Sequence, residues 1–542
     1  MGQCRRGAVR IAGLERAGLG RVAVDGAEDE AMSAIAHEAG RLRAAETAPV
    51  TVGFSTLLAW ELRHIGRQRL LWMVLVLLAM AMLWGAYSGA SLHRAQTAAI
   101  ARSHAADAAW TAQIRERARR YAEPAESPVP YWQDPTDVAG FSRYFLRAQS
   151  DKPHLPLSPL AVGISDLMPS RLPVKLETPF GAEPAYDFEN PRGLGLGRFD
   201  LGFVLIYLLP VATILLIGLL STFERDHGML RLIAAQRVGP RAWLGARVAA
   251  IFAWLAPATL ALLLLSLLFA GVDATAAMPE LFASAALVVA YLSFWATLGF
   301  VVVSAWPSAA GAISLMGALW AALVIGVPLL GSAWADRLGD APTPVAYVDA
   351  QRRANDAIGS ERDAIVTAMF RARADLAAAT DRVAKIDYAT RMTFLAPELE
   401  RRLAPLRDRR LAARAARERV SDWAGYVSPS LGLEQALSVL AGTDSDRHRR
   451  FEQQTRAYQL RLRDWFYPRI QREIATPTPR PPNSYGRMNF AEYDAIPVYL
   501  GAELPASARV AATLPFAAWL LLLAALLTGV ALRRLRRWPT EL

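Results

Sequence analysis

Residues 199–247 read FDLGFVLIYLLPVATILLIGLLSTFERDHGMLRLIAAQRVGPRAWLGAR and decide how the rest of the chain is interpreted. The stretch begins with 23 uncharged residues, 201–223, which as a helix extend about 34 Å and cross the apolar core of a bilayer. The charged segment ERDHG and a mixed apolar and basic stretch follow, before the chain turns apolar again at Val248. We interpret residues 224–247, called the foot below, as a short helical segment at the cytoplasmic face of the membrane.

The composition combines apolar spans with charged soluble segments. Mean hydropathy is +0.20, although 20% of the 542 residues are charged. The formal net charge of +11 is carried almost entirely by arginine, since lysine occurs only at Lys152, Lys175 and Lys385. The arginines form no basic stripe interleaved with aromatic residues, so no nucleic-acid partner is predicted. Cys4 is the single cysteine, which excludes a disulfide within the chain.

No motif in the sequence predicts catalysis or cofactor binding. A GxxxxGK[ST] loop is missing, so ATP cannot be bound by the P-loop route. His37 and Glu38 begin like the zinc-protease motif HExxH, but Arg41 stands at its fifth position. There is no GxSxG motif, and the histidines are too scattered for a metal site. We therefore predict no catalytic residue, no metal site, no cofactor on this chain and no enzymatic activity of its own.

The hydropathy pattern predicts a mostly α-helical polytopic membrane protein with six transmembrane helices and two large extracytoplasmic regions. The first region is expected to be mixed and irregular, and the second to be helical. The predicted organisation is an N-terminal tail (1–53), an interfacial helix with the first span (54–90), the first extracytoplasmic region (91–200), spans two to five (201–335), the second region (336–509), the sixth span (510–532) and a tail (533–542).

Two parts of this organisation keep alternatives open. Residues 1–53 are either a disordered tail or an over-extended start, with initiation near Met32. In the second region, apolar residues recur at seven- and four-residue steps, at Ile358, Ile365, Met369, Leu376 and Val383, and a second charged helix follows. This pattern indicates either a coiled-coil-like helical hairpin or a helical domain with a small core of its own.

Arginine placement predicts the orientation of the spans. The segment before the first span, the foot and the C-terminal tail are rich in arginine, whereas the short loop 273–280 has none. Positively charged short flanks remain in the cytoplasm, so both termini are predicted to be cytoplasmic. The spans carry no charged residue at depth, which argues against an ion-coupled carrier.

The pattern resembles the permease subunit of a type-2 ABC transporter, a family in which the ATPase is a separate chain. The resemblance rests on six spans, an interfacial helix before the first, and a glutamate-led amphipathic segment after the second. Glu224, Gly228 and Leu230 match the family's foot motif, while Arg247 replaces its usual lysine. The motifs at 161–169 (AVGISDLMP), 189–191 (ENP), 199–210 and 428–444 (SPSLGLEQALSVLAGTD) are similar to an uncharacterised branch with large outer domains after the first and fifth spans.

The resemblance implies an exporter-like mechanism in a bacterial cytoplasmic (inner) membrane. Two permease chains, identical or different, would pair in the lipid bilayer, and each would bind one ATPase subunit that carries the ATP. Glu224, Arg225 and Gly228 would shape the docking loop, and Leu230, Leu232 and Ile233 would fill a groove of the ATPase. The alternative is that these residues anchor an interfacial helix to lipid headgroups.

Three hypotheses for the whole protein follow from the sequence. The leading one is a permease that moves an unidentified substrate with energy from a separate ATPase. The second is a mechanical transmitter, in which ATP hydrolysis moves the outer regions against an envelope partner. The third is a membrane scaffold without transport.

Overall fold

The structure is a computed structural model that describes residues 53–122, 129–179, 199–236, 238–305, 308–337, 343–475, 488 and 490–536. The predicted N-terminal tail lies outside the described residues apart from Gly53. Residues 189–191 of the ENP motif and 537–542 of the C-terminal tail also lie outside them.

Helices dominate the described part of the chain, as the sequence predicts. They are α1 Phe54–Gly66, α2 Arg69–Ala122, α3 Val138–Gly140, α4 Leu201–Phe203, α5 Leu209–Asp226, α6 Leu230–Ala235, α7 Pro240–Phe269, α8 Met278–Ala305, α9 Ala309–Ala321, α10 Val327–Arg337, α11 Pro344–Ala372, α12 Tyr388–Val427, α13 Pro429–Ala441, α14 Ser445–Ala475, α15 Phe490–Asp494 and α16 Ala506–Arg534. π-helical turns at Phe141–Phe145, Val204–Leu208 and Ala322–Gly326 and 3₁₀ turns at Ser158–Leu160 and Ala377–Arg382 interrupt them. Strands β1 Ala148–Asp151 and β2 Arg171–Val174 form an antiparallel pair in the first region between spans.

Six of these helical stretches are long and apolar enough to cross a membrane, which confirms the predicted class. Spans 1 to 6 are Arg69–Tyr121, Leu201–Glu224, Pro240–Phe269, Met278–Ala305, Ala309–Arg337 and Ala506–Arg534. Spans 4 and 6 pack against each other along most of their length. At one end of this pair, Arg509 donates a buried hydrogen bond to Glu280. The opposite end of the bundle carries α6 and is called the foot side below.

The first span continues as one helix far beyond the predicted boundary at residue 90. Helix α2 has 54 residues and is about 80 Å long. Its sequence is rich in alanine and contains no proline between Arg69 and Ala122, so nothing in it ends the helix. The distal part of α2 packs Ile114 and Ala118 into a second core, shared with α3, the strand pair and α14. A single rigid helix thus joins the membrane bundle to the first outer region.

The second region forms a helical hairpin that encloses a core of its own. Helices α11 and α12 pack together, and Ile358, Val366 and Phe370 of α11 meet Phe394 and Leu399 of α12. The predicted helical series does not continue to Val383. Helix α11 ends at Ala372, and Leu376 and Val383 flank the 3₁₀ turn Ala377–Arg382. The region is therefore a helical hairpin, as in the first alternative, and has a small core of its own, as in the second.

The middle of the second region returns into the bundle instead of staying outside it. Trp519 of span 6 donates a hydrogen bond to the carbonyl of Tyr426 (2.9 Å), and the Ser428 hydroxyl donates to the carbonyl of Leu323 in span 5 (2.6 Å). Leu323 lies halfway along Ala309–Arg337. Helices α12 and α13 therefore form a re-entrant hairpin whose turn at Val427 and Ser428 is level with the middle of the spans.

Helix α13 leads back out to a point where three of the sequence motifs meet. Thr443 donates to the carbonyl of Ala161 (3.0 Å) and accepts at its own carbonyl from the Ile164 N–H (3.2 Å). Asp200 accepts from the Val162 N–H (2.7 Å) and caps α4 by accepting from the Phe203 N–H (2.6 Å). The motifs 161–169, 199–210 and 428–444, far apart in sequence, thus form one junction at the end of the bundle opposite the foot.

Replacing Gly432 by alanine is expected to destabilise the re-entrant hairpin. A β-carbon at Gly432 would overlap the Phe516 ring and the Gly425 carbonyl oxygen, and overpacking of this kind costs about 1–3 kcal/mol. We predict a lower unfolding midpoint in detergent for Gly432→Ala. Gly317→Ala is the control, because a β-carbon there meets nothing within 4 Å, and it should leave the midpoint unchanged or raise it. Equal midpoints in the two variants would contradict the close packing of this hairpin.

Candidate functional site

The foot begins where span 2 ends and the chain reverses. Helix α5 ends at Asp226, and the Met229 N–H donates to the carbonyl of Glu224 (2.8 Å) to close the last turn. Gly228 follows with a φ of 68° and open space around its α-carbon. Glycine is favoured here because the left-handed backbone is costly for other residues. The six-residue helix α6 and then α7 follow.

A buried arginine joins the foot to the rest of the bundle. Arg247, on the first turns of span 3, is only 2% exposed. Its Nε lies 2.5 Å from Oε2 of Glu61 in α1, and its Nη2 lies 2.6 Å from Oε1 of Glu224 at the end of span 2. Glu61 is fully buried, and the Glu224 side chain is 13% exposed. The arginine therefore links three separate helices, and we call Glu61, Glu224 and Arg247 the arginine cluster.

All five N–H donors of Arg247 are used in this cluster. Nη1 donates to the Leu220 carbonyl (2.6 Å) and to Oε2 of Glu224 (3.1 Å), while Nη2 also reaches Oε1 of Glu61 (3.1 Å). A buried ion pair is tolerated only where such hydrogen bonds offset the loss of hydration. Lysine, with three donors and no planar fork, cannot reproduce the arrangement. This gives a physical reason for arginine at the position where the resembling family has lysine.

A second carboxylate fixes the foot to span 5. Asp226 accepts from the Ala309 N–H, with both carboxylate oxygens at 3.3 Å. A negative charge at the beginning of a helix is favoured by the helix dipole. The end of span 2 is therefore joined to α1, to span 3 and to span 5. These contacts make the foot an extension of the bundle.

The predicted docking residues divide into two groups in the structure. Leu232 is 63% exposed on α6, and Gly228 is exposed in the turn before it. Ile233 is partly buried and packs against the apolar core of the bundle, whereas Glu224 lies in the arginine cluster. The side chains of Arg225 and Leu230 lie outside the described part. Among the predicted residues with described side chains, Leu232 thus offers the largest apolar contact surface to a partner.

Two exposed residues that the prediction did not include extend this surface. Phe223 is 50% exposed and Met229 is 39% exposed, on either side of the turn. Phe223 was assigned to the membrane span, because its apolar run ends there. With Leu232 they define the foot surface, a set of three apolar side chains beside an otherwise charged segment.

Sequence reasoning also missed the role of Glu61. It is the single acidic residue of α1 and falls on the same helical face as Leu57, Leu58 and Ile65. A carboxylate within an apolar face indicates a buried partner, and this signal was available in the sequence. Arg247 was noted only as a departure from the family pattern. The pairing of the two required the fold.

Comparison with known protein families gives a match in the second region. A family model described as "Domain of unknown function (DUF3526)" matches residues 345–477, from α11 through the last residues of α14. Comparisons with curated proteins and with solved structures find no match. The matched segment contains the re-entrant hairpin, whereas the foot and the arginine cluster lie outside it.

Removing the guanidinium of Arg247 is expected to destabilise the protein strongly. Arg247→Ala leaves Glu61 and Glu224 with unpaired buried charge, which typically costs about 3–5 kcal/mol. We predict a marked drop in the free energy of unfolding in detergent, with Arg247→Lys in between. Arg63→Ala, an exposed arginine on α1, should change it by less than about 0.5 kcal/mol. Similar losses at positions 63 and 247 would show that the cluster does not stabilise the fold.

Proposed function

We propose that this chain is the membrane permease subunit of an ABC transporter and that a separate ATPase binds its foot. The observation that carries the proposal is the combination of the exposed foot surface with the arginine cluster behind it. Leu232 is accessible to a partner, while Arg247 ties the same segment to α1 and span 3. A force applied to the foot is therefore passed to three helices at once.

The arginine cluster also leaves charge available to a partner. One guanidinium faces two carboxylates, so the three side chains together carry a net charge of −1. Glu224 is the member that reaches the surface, at 13% exposure. A basic residue of the ATPase could approach Glu224 and improve the electrostatic complementarity of the docked complex.

The proposed orientation places the foot in the cytoplasm of a bacterial cell, with both termini on the same side. Support comes from the position of the arginine-rich flanks. Glu61 brings α1 to the foot through Arg247, and Arg241 donates to the carbonyl of Leu532 (2.8 Å) at the end of span 6. Arg63 and Arg533, which flank spans 1 and 6, therefore lie on the foot side, as the positive-inside rule favours for the cytoplasm.

A second candidate function, the mechanical transmitter, is favoured by the continuity of α2. Its 54 residues form one continuous helix from span 1 into the first outer region. Motion of the bundle would therefore move the outer region directly. In that case ATP hydrolysis would proceed without movement of any substrate across the membrane.

Replacing Leu232 by aspartate is expected to abolish binding of the ATPase. The change puts a charge on the most exposed side chain of the foot surface and alters no described contact of the arginine cluster. The tagged full chain would be purified from its native membranes, with the recovered ATPase quantified by mass spectrometry. We predict near-stoichiometric ATPase with the wild type and a loss of at least about tenfold for Leu232→Asp.

The matched control is Leu500→Asp, at a 76% exposed leucine between α15 and span 6, far from the foot. It should keep the ATPase. Equal ATPase recovery from both variants and the wild type would contradict docking at the foot. A wild type that brings down no ATPase would overturn both the permease and the transmitter and leave the scaffold.

A further inference from the structure

A cavity of about 290 Å³ lies where the two outer regions meet. One wall is α3 of the first region, and the other walls are the segment 381–390 and the last turns of α14 in the second region. This volume is near the lower end of the range, about 300–1,000 Å³, found for small-molecule sites in proteins. At about 30 Å³ for each non-hydrogen atom, as in liquid water, the cavity has room for a molecule of about ten such atoms.

The inner side of the cavity is apolar because two cores adjoin there. Val138, Ala139 and Ile470 belong to the second core, and Ile474 and the partly buried Ile386 belong to the core of the helical hairpin. All five residues line the cavity. This apolar floor therefore suits an apolar group of a ligand, whose removal from water is favourable.

Two charges of opposite sign in the lining are held in place by hydrogen bonds. The Arg382 guanidinium donates through Nη1 to the carbonyl of Ile474 (2.9 Å). The Asp387 carboxylate accepts from the N–H (2.8 Å) and the hydroxyl (2.5 Å) of Thr390, which caps α12. The bond of Arg382 uses one of the five donors of a guanidinium, and a carboxylate that accepts two bonds can accept more. Each group can thus bind a ligand from a position that the fold already fixes.

The mixture of charges specifies the chemistry of the ligand. The other charged residues of the lining, Asp381, Lys385 and Glu473, again include both signs. A ligand with a single charge would face groups of its own sign as well as groups of the opposite sign. A metal ion is not favoured, because no three histidine, cysteine or acidic side chains of the described residues are grouped so as to hold one. A zwitterion can pair its carboxylate with a cation and its ammonium group with a carboxylate.

The position of the cavity specifies where the ligand comes from. Thr390 lies in the first turn of the 40-residue helix α12, and Val427 at the other end of α12 is level with the middle of the spans. The two residues are about 55 Å apart along the helix, whereas the apolar core of a bilayer extends only about 15 Å from its middle. The ligand is therefore a molecule of the aqueous phase around the outer regions.

We propose that this cavity binds a small zwitterion with an apolar side chain, the class to which the apolar α-amino acids belong. Arg382 binds its carboxylate, Asp387 binds its ammonium group, and its side chain lies on the apolar floor. Since the ligand touches α3 as well as α12 and α14, it also strengthens the contact between the two outer regions. The proposal concerns the outer regions alone and does not rest on the proposed function.

The test is isothermal titration calorimetry of the full chain, purified in detergent, with leucine and three analogues that each lack one of its features. 4-Methylpentanoate lacks the ammonium group, 3-methylbutylamine lacks the carboxylate, and glycine lacks the apolar side chain. We expect the wild type to bind leucine at least about tenfold more tightly than any of the three analogues.

Two substitutions separate the roles of the two charges. Asp387→Asn removes the charge but keeps a residue that caps helices equally well, so the fold should be retained. It should lower the preference for leucine over 4-methylpentanoate by about tenfold, because neither ligand then gains from an ammonium group. Arg382→Gln should lower the preference for leucine over 3-methylbutylamine by a similar factor. Arg409→Gln, at an exposed arginine of α12 outside the cavity lining, is the control and should bind all four ligands like the wild type.

Absence of leucine binding to the wild type, or equal affinity for leucine and its two singly charged analogues, would overturn the proposal. Unchanged preferences in folded Asp387→Asn and Arg382→Gln variants would overturn it as well. If a variant fails to fold, the comparison of the four ligands on the wild type decides. No ATPase is present in this measurement, so its result is independent of whether the foot binds one.

Discussion

The five hydrogen bonds donated by Arg247 are the interaction on which the arrangement of the foot side depends. They draw α1, the end of span 2 and the beginning of span 3 around one buried guanidinium. Without a positive charge at this point, two carboxylates would face each other in an apolar environment, which is strongly unfavourable. The interfacial helix would then be left with only its packing against span 3, such as the Trp254 indole that donates to the Leu62 carbonyl (3.0 Å).

The opposite end of the bundle is organised by a different kind of contact. There, Asp200 and Thr443 bond to the backbone of the segment 161–164, beside the buried pair of Arg509 with Glu280. Gly163, with a φ of 53°, lies so close to Thr443 that a side chain would not fit. The re-entrant hairpin, the segment 161–164 and span 2 are thus joined at one junction. A displacement of the bundle at this junction would move parts of both outer regions.

The transmembrane helices were predicted well from the sequence, because each is a long uncharged apolar run. Most spans begin and end within a few residues of their expected positions. Span 3 is an exception, because it begins at Pro240, eight residues earlier than expected. The end of span 1 could not be placed, because an alanine-rich helix continues in water as easily as in lipid. The re-entrant hairpin was missed for a related reason: α13 is only 13 residues long, too short to register as a span.

At the foot, the segment and several of its residues were identified from the sequence, but not which side chains are buried against the bundle and which are exposed. Glu224 and Leu232 were both expected to serve docking, yet one lies in the arginine cluster and the other is exposed. Such a division depends on which face of a short helix meets the bundle. That is set by tertiary contacts such as Glu61 with Arg247, whose partners are 186 residues apart.

The central claim, that the arginine cluster holds the foot against α1, can be tested by measuring a distance. Spin labels attached after Ala59→Cys and His227→Cys, in a Cys4→Ser background, report the separation of α1 and the foot by pulsed electron paramagnetic resonance. The account predicts one narrow distance distribution in the wild type and after Arg63→Ala, and a broad one after Arg247→Ala. A distribution that stays equally narrow without the guanidinium would contradict it.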